Sequence, residues 1–307
     1  MTKKMSLDEY KTFIKEKRLE LVKNPYDLVY DIFTELGYDK KDKKYFRDNA
    51  STIIEQLRDK CWEYFISIEK EFTTQALEAL IDEDYVEKLT SSDAIKWYFK
   101  EYGEYIYAVT LSNTQSRRSR AGNEFEVIIE LILMGAGITF DSQGNTGKDA
   151  FIKKGLSKSV DFVLPSVLHY TLNKRDTVLI SAKTTLRERW QEVPEEMVRT
   201  GAREMFLATL DSTVSNDVLD TLYETNIQLV TTQNNIKKKY SHNPRVLSFE
   251  RLLTICLETC DEWKKHSFST AEIDEMKKSI YKQMKKHHKH EFVKKYYNQL
   301  LKDISGE

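Results

Sequence analysis

The stretches VDFVLP, Val160 to Pro165, and SAKTTLRERW, Ser181 to Trp190, decide the reading of this chain. Each opens on apolar residues and closes on chemistry. The second continues a longer run, TVLISAKTT, and GITF, EMFLATL and NIQLVTT are similar. These runs are mostly continuous rather than alternating, which predicts strands buried on both faces. PEEMVRTGA and SNDVLDTLYET supply helices between them. The region 114–250 therefore reads as an α/β core, a mixed central sheet flanked by helices.

A charge inside an apolar strand is expensive unless something compensates it. Asp161 nevertheless interrupts VDFVLP, and Lys183 interrupts TVLISAKTT. Opposite charges on neighbouring strands make either a structural ion pair or a catalytic one. Phosphodiester cleavage needs a hard cation, a further positive charge and an activated water. Magnesium takes oxygen ligands and few protein groups. An acid, a lysine and a second carboxylate meet that need. The common nuclease pattern places an acid two residues before the lysine, on the same face of the strand. Here that position is Ser181, a poor metal ligand. The second carboxylate must come from elsewhere. Glu195 and Glu196 follow Pro194, which suits the first turn of a helix. Glu196 lies thirteen residues after Lys183, so a helix beside the strand can swing it into the vacancy. Glu126, within the apolar helix NEFEVIIELILMGAG, is a further candidate.

Arg187, Glu188 and Arg189 follow the lysine closely. In the major groove guanine offers two acceptors that match an arginine fork, and cytosine offers an amino donor that suits a carboxylate. Arg-Glu-Arg beside a catalytic lysine predicts a reader of a CC/GG half-site.

Outward from this centre, residues 1–113 read as a helical N-terminal region docked on the core, and 251–307 as C-terminal helices, a possible dimerisation element. Ser6 with Glu9 forms a candidate capping box, Pro25 opens a second helix, and Gly37 closes it. KKDKKYFRDN reads as a polar link, and Ser51 or Thr52 as the cap of the helix that follows. With 40% hydrophobic residues in 307, a sizeable core is expected. Net charge is only -1, so positive charge matters through its clustering, in SRRSR (116–120), IKKKY (236–240) and KKHHKH (285–290). Cys61, Cys256 and Cys260 include no CxxC pair, which argues against a disulfide framework or a zinc site. No apolar run approaches a membrane span, and the expectation is a soluble, cytoplasmic protein with no membrane partner.

As a set, SRAG (119–122) with Glu126, VDF with Asp161, SAKTTLRERW and Glu196 resemble the type II restriction endonucleases of the SsoII, EcoRII and PspGI group, related to NgoMIV. The likeness to the SsoII-type enzymes extends over the whole chain. It implies the restriction-endonuclease fold with a displaced second acid. It assigns Asp161, Lys183 and Glu196 to catalysis, with Asp161 and Glu196 as metal ligands and Glu126 supporting the site. Arg187, Glu188 and Arg189 become the CC/GG contacts. The implied target is CCNGG in double-stranded DNA, cut before the first C, with magnesium. It further implies that Arg58 and Trp62 form a pocket for a base flipped from the duplex, so that CCNGG is read as a compressed CCGG. Gln115 then sits against the minor groove. A near-palindromic site implies a homodimer, and the function implies a companion DNA methyltransferase. Two other readings compete: a DNA-binding module without cleavage, and a repair or recombination nuclease of the same fold. The acid–lysine–carboxylate set speaks against the first, and Arg-Glu-Arg beside Lys183 against the second.

Overall fold

The computed structural model describes residues 5–156, 158–241 and 243–305. Its residues form two compact units. One takes the described residues of Met1–Val29 with Asp59–Glu124; the other takes Tyr30–Arg58 with the described residues of Phe125–Glu307. Composition puts its seams at 113 and 250, whereas contacts put theirs inside the helices Pro25–Glu35, Lys43–Glu78 and Ser91–Ala136.

In the first unit, the helix Leu7–Leu21 begins on the expected capping box. The Ser6 hydroxyl accepts the Glu9 amide at 3.3 Å, and the Glu9 carboxylate accepts the Ser6 amide at 2.7 Å. Tyr10, fully buried, donates its hydroxyl to the Ala76 carbonyl at 2.7 Å, in a core shared with Ile14, Phe72, Leu80 and Val109.

Two polar stretches prove to be helical. Lys43 opens the helix Lys43–Glu78, which bends at Asn49 (φ -127°, ψ 19°) instead of starting at Ser51. Ser51 does not cap this helix: its amide and hydroxyl donate to the Glu250 carboxylate at 2.7 and 2.9 Å, and its hydroxyl accepts the Gln233 amide at 3.0 Å. TQSRRSRAG lies within the helix Ser91–Ala136, which bends at Tyr102. Gln115, Arg117, Arg118 and Ser119 are exposed there. Polar residues on a solvent face are compatible with helix, so composition marked a surface and not a break.

The second unit holds a six-stranded sheet in the order β1 (Asp141–Ser142), β2 (Phe162–Leu164), β3 (Val178–Lys183), β4 (Met205–Thr209), β5 (Ile227–Thr231) and β6 (Val246–Ser248). The first two pairings are antiparallel and the last three parallel, a mixed sheet. GITF is not itself a strand; pairing begins just after it, at Asp141. On one face Leu179, Leu207 and Leu229 pack with Val193 and Met197 of the helix Glu192–Thr200 and with Leu219 and Leu222 of Asn216–Glu224. On the other, Phe140 meets Phe162 edge-on at 5.9 Å and the helix Phe249–Trp263 lies against β2 and β5. Covering both faces explains why β3, β4 and β5 read as unbroken apolar runs. Strand alternation puts Ser181 and Lys183 on the same face as Leu179, the face covered by Glu192–Thr200.

Candidate active site

Asp161 stands one residue before β2, with its amide bonded to the Ile180 carbonyl of β3 at 2.9 Å. That pairing brings its carboxylate to the end of β3. Oδ2 accepts the Ala182 amide at 2.6 Å and the Lys183 ammonium at 3.1 Å. Asp161 is buried, and Lys183, at the strand end, keeps some access to solvent. Burial pushes the Asp161 carboxyl above its usual range, while Lys183 and the Ala182 amide oppose the shift.

Glu126 joins this pair from the helix Ser91–Ala136. Burial pushes its carboxyl up to about 8; the charge of Asp161 and that of Glu130 add to this, and Lys183 pulls the other way. Glu196 comes from the helix Glu192–Thr200. Its Oε2 accepts the amide of Ser159 at 3.1 Å, two residues before Asp161, whereas Glu195 is exposed. The helix thus turns Glu196, and not its neighbour, toward the Asp161 segment. Ser181, at the position of the absent acid, is fully buried, and its Oγ has no hydrogen-bond partner among the described residues.

Two carboxyls held proton-prone by burial, the charge of Asp161 adding to it at Glu126, with a buried hydroxyl on the adjoining strand that has no partner among the described residues, are a surrounding that a hard cation would satisfy. Among the described residues no three His, Cys, Asp or Glu side chains converge as a metal cage. This fits magnesium, which keeps much of its water and takes one or two carboxylates. A closed zinc or calcium centre would need more.

The family described as EcoRII C terminal matches residues 84–253, more than half of the chain. Over 298 residues the sequence is 49% identical to the "Type II restriction enzyme SsoII" of Shigella sonnei, covering 97% of this chain and 98% of that one. The chain belongs to the type II restriction endonucleases. A solved structure described as metal-depleted Ecl18kI in complex with uncleaved, modified DNA is 48% identical, with a TM-score of 0.92 over 97% of this chain and 99% of that one. A PspGI–substrate DNA complex, at 17% identity and a TM-score of 0.59 over 78% of this chain and 94% of that one, shares the fold. The mixed sheet with flanking helices is therefore a restriction-endonuclease core. As a type II restriction endonuclease, the protein is a site-specific phosphodiester hydrolase.

Beyond Lys183 the chain makes a turn. Leu186 sinks into the core at 2% exposure, and Arg187 and Glu188 face solvent. Arg187 has φ +42°, in the left-handed region that a long side chain avoids. The side chain of Arg189 lies outside the described residues. In the first unit, Gln115 is exposed on its helix. Trp62 is 42% exposed, so it is not a core tryptophan. Its ring lies 6.0 Å from the Arg117 guanidinium, which pairs with the buried Glu69, and 6.3 Å from Phe65. Arg58 is half-buried, one turn earlier on the same helix.

Sequence reasoning missed two groups. One is the Ser159 amide that orients Glu196. The other is Asp211, just past β4, whose carboxylate accepts the Leu186 amide at 3.1 Å. The signal for the second was local: in LDST, Asp211 stands two residues before Thr213, the spacing at which an aspartate receives its own backbone. The basic runs were also overread. In SRRSR, Arg117 and Arg120 pair with Glu69 and Glu124. In KKHHKH, His287 and His290 are buried.

Proposed function

We propose that this endonuclease cuts both strands of DNA at CCNGG, before the first C, as a homodimer with magnesium. The observation that carries the reading is the end of β3, where the Lys183–Asp161 pair at 3.1 Å is followed directly by the outward turn bearing Arg187 and Glu188. Asp161 and Glu196 would hold the ion. When bound, magnesium supplies positive charge against the phosphoryl oxygens and acidifies water. Lys183 neutralises charge that develops on the scissile phosphate. Glu126, with a carboxyl near 8, can hold or yield a proton at its Oε atoms near neutral pH. Arg187, Glu188 and Arg189 take the guanines and cytosine amino groups of CC/GG.

The half-exposed Trp62, beside an arginine, offers a flat apolar face for a base swung out of the duplex; Arg58 encloses it, and Gln115 fills the minor groove. That Ecl18kI and PspGI have been solved on DNA supports the same class of partner for this chain. A companion methyltransferase would protect the same sequence in the host.

The test is a plasmid with a single CCNGG site, incubated with enzyme and magnesium. One pair of ends, 5′ to the first C, is expected. Binding without cutting would sink the catalytic assignment, and cuts scattered away from CCNGG would sink the recognition assignment.

A further inference from the structure

The turn that carries Arg187 is strained at that residue and is not closed by its own hydrogen bonds alone. It leaves β3 at Lys183, which lies opposite Thr209 in the parallel register with β4. Asp211 comes off β4 two residues later, beside the turn. Its Oδ2 takes the Leu186 amide at 3.1 Å. Oδ1 takes the Thr213 amide at 2.9 Å and the Thr213 hydroxyl at 2.7 Å. The Asp211 amide is itself anchored on Thr209 Oγ1 at 3.1 Å.

Three donors on one partly buried carboxylate, the Leu186 amide and the amide and hydroxyl of Thr213, leave it little freedom. Burial alone would raise this carboxyl, but the backbone and side-chain donors around it hold it below the usual range, so it stays an ionised acceptor at working pH. One of the three is backbone of the reading turn, the amide of the residue that immediately precedes the φ of +42° at Arg187. Strained backbone persists only where its surroundings over-determine it. Leu186 fixes the turn from the core side and Asp211 fixes it from β4.

We propose that Asp211 is a specificity-positioning residue: it holds the Leu186–Arg187 backbone so that Arg187 projects at the angle needed to meet a guanine. The proposal rests on the reading of Arg187 as a base reader. Asp211 touches neither the bases nor the reacting phosphate; it acts through Arg187. An arginine fork needs both donors aligned at once, so a turn that wanders costs discrimination while the arginine's charge still attracts phosphate.

The experiment measures affinity in calcium, without cleavage, for a CCNGG duplex, for a duplex with one C·G pair replaced, and for an unrelated duplex. The proteins are wild type, Asp211→Asn, Arg187→Ala and the double variant. Asn keeps the shape but removes the charge and one of the two acceptor oxygens, which the Leu186 amide and the Thr213 donors now share. Asp211→Asn is expected to lower discrimination against the replaced pair about tenfold, with affinity for the unrelated duplex unchanged. The double variant should discriminate no worse than Arg187→Ala, because both act through one contact.

Wild-type discrimination in Asp211→Asn, alongside loss in Arg187→Ala, overturns the positioning role and leaves the reader intact. Undiminished discrimination in Arg187→Ala overturns the reader itself. An equal fall on all three duplexes makes Asp211 merely structural and overturns the proposal, as does additivity in the double variant. Should Asp211→Asn not fold, Thr213→Val removes the hydroxyl donor from Oδ1 on an exposed loop and leaves the backbone one. It then carries the same test, with discrimination lowered about two- to threefold if the proposal holds and unchanged if it does not.

Discussion

The second unit contains two buried polar clusters, and they are built differently. One surrounds Asp141. Its carboxylate accepts the Val167 amide at 2.8 Å, the Gln283 amide nitrogen at 2.5 Å and the Ser279 hydroxyl at 3.5 Å. Nearby, Asn145 donates to both oxygens of Glu130 at 3.3 and 3.2 Å, and its carbonyl meets His287 Nε2 at 3.0 Å. Each of these groups is matched. The other cluster is Asp161, Lys183, Glu126 and Ser181. It leaves a buried hydroxyl without a hydrogen-bond partner among the described residues, and a glutamate pushed up to about 8. Burial acts on Asp141 and Asp161 alike, raising both carboxyls. The difference lies in what answers it: neutral donors at Asp141, and at Asp161 the Lys183 ammonium and the Ala182 amide, to which the proposed function adds a cation and substrate. A satisfied network specifies the fold, and an unsatisfied one is held open for chemistry.

Substitutions should separate the two. Asp161→Asn is expected to slow single-turnover cleavage by about a hundred- to a thousandfold, with binding in calcium retained and the melting temperature unchanged or raised. Retained cleavage would remove Asp161 from the site. Asn145→Ala should do the reverse. It orphans partners in the matched cluster, at about 1–3 kcal/mol of stability by denaturant titration, with turnover per folded molecule unchanged. If it slowed cleavage as deeply as Asp161→Asn, the two clusters would be one.

A smaller effect concerns pH. Glu126 binds its proton more tightly folded (about 8) than at the ordinary carboxyl value of 4.5. Between those values the folded state carries the extra proton, so stability of the metal-free protein falls as pH rises from about 4.5 to about 8. Glu126→Gln should flatten that slope in melting curves taken across the range; an unaltered slope would assign it to other groups. The smallest change in stability is expected at Trp62. Trp62→Ala should cost less than about 0.5 kcal/mol, because the ring is half-exposed, yet it should abolish the brightening of a fluorescent base analogue at the central position of CCNGG. A bright signal in the variant would place the flipped base elsewhere.

What could be read from the sequence follows from how far each signal reaches. β3, β4 and β5 were legible because a strand covered on both faces must be apolar throughout. Asp161 and Lys183 were legible because charge in such runs is costly. Ser181 announced that an acid was displaced, with Glu195, Glu196 and Glu126 as its candidate sources. That Glu196 rather than Glu195 turns toward the Asp161 segment shows only in the Ser159 amide, a contact across thirty-seven residues. Ser51 looked like a cap because its true partner, Glu250, is 199 residues away. The LDST spacing marked Asp211 as an acceptor of its own backbone, but not as a support for the Leu186 amide, which lies twenty-five residues earlier. His287 and His290 looked like part of a charged tail because burial by a neighbouring helix leaves no mark on local composition.

The placement of Glu196 also constrains how this enzyme can change. Its carboxylate lies thirteen residues past Lys183, and the turn bearing Arg187 and Glu188 occupies the chain between them. Lengthening or exchanging that segment, the usual route by which surface loops acquire new preferences, would drag Glu196, the second acid of the proposed site, out of register. New sequence preferences in this lineage are therefore expected to arise by replacing side chains within a segment of fixed length, or from the chain far from it.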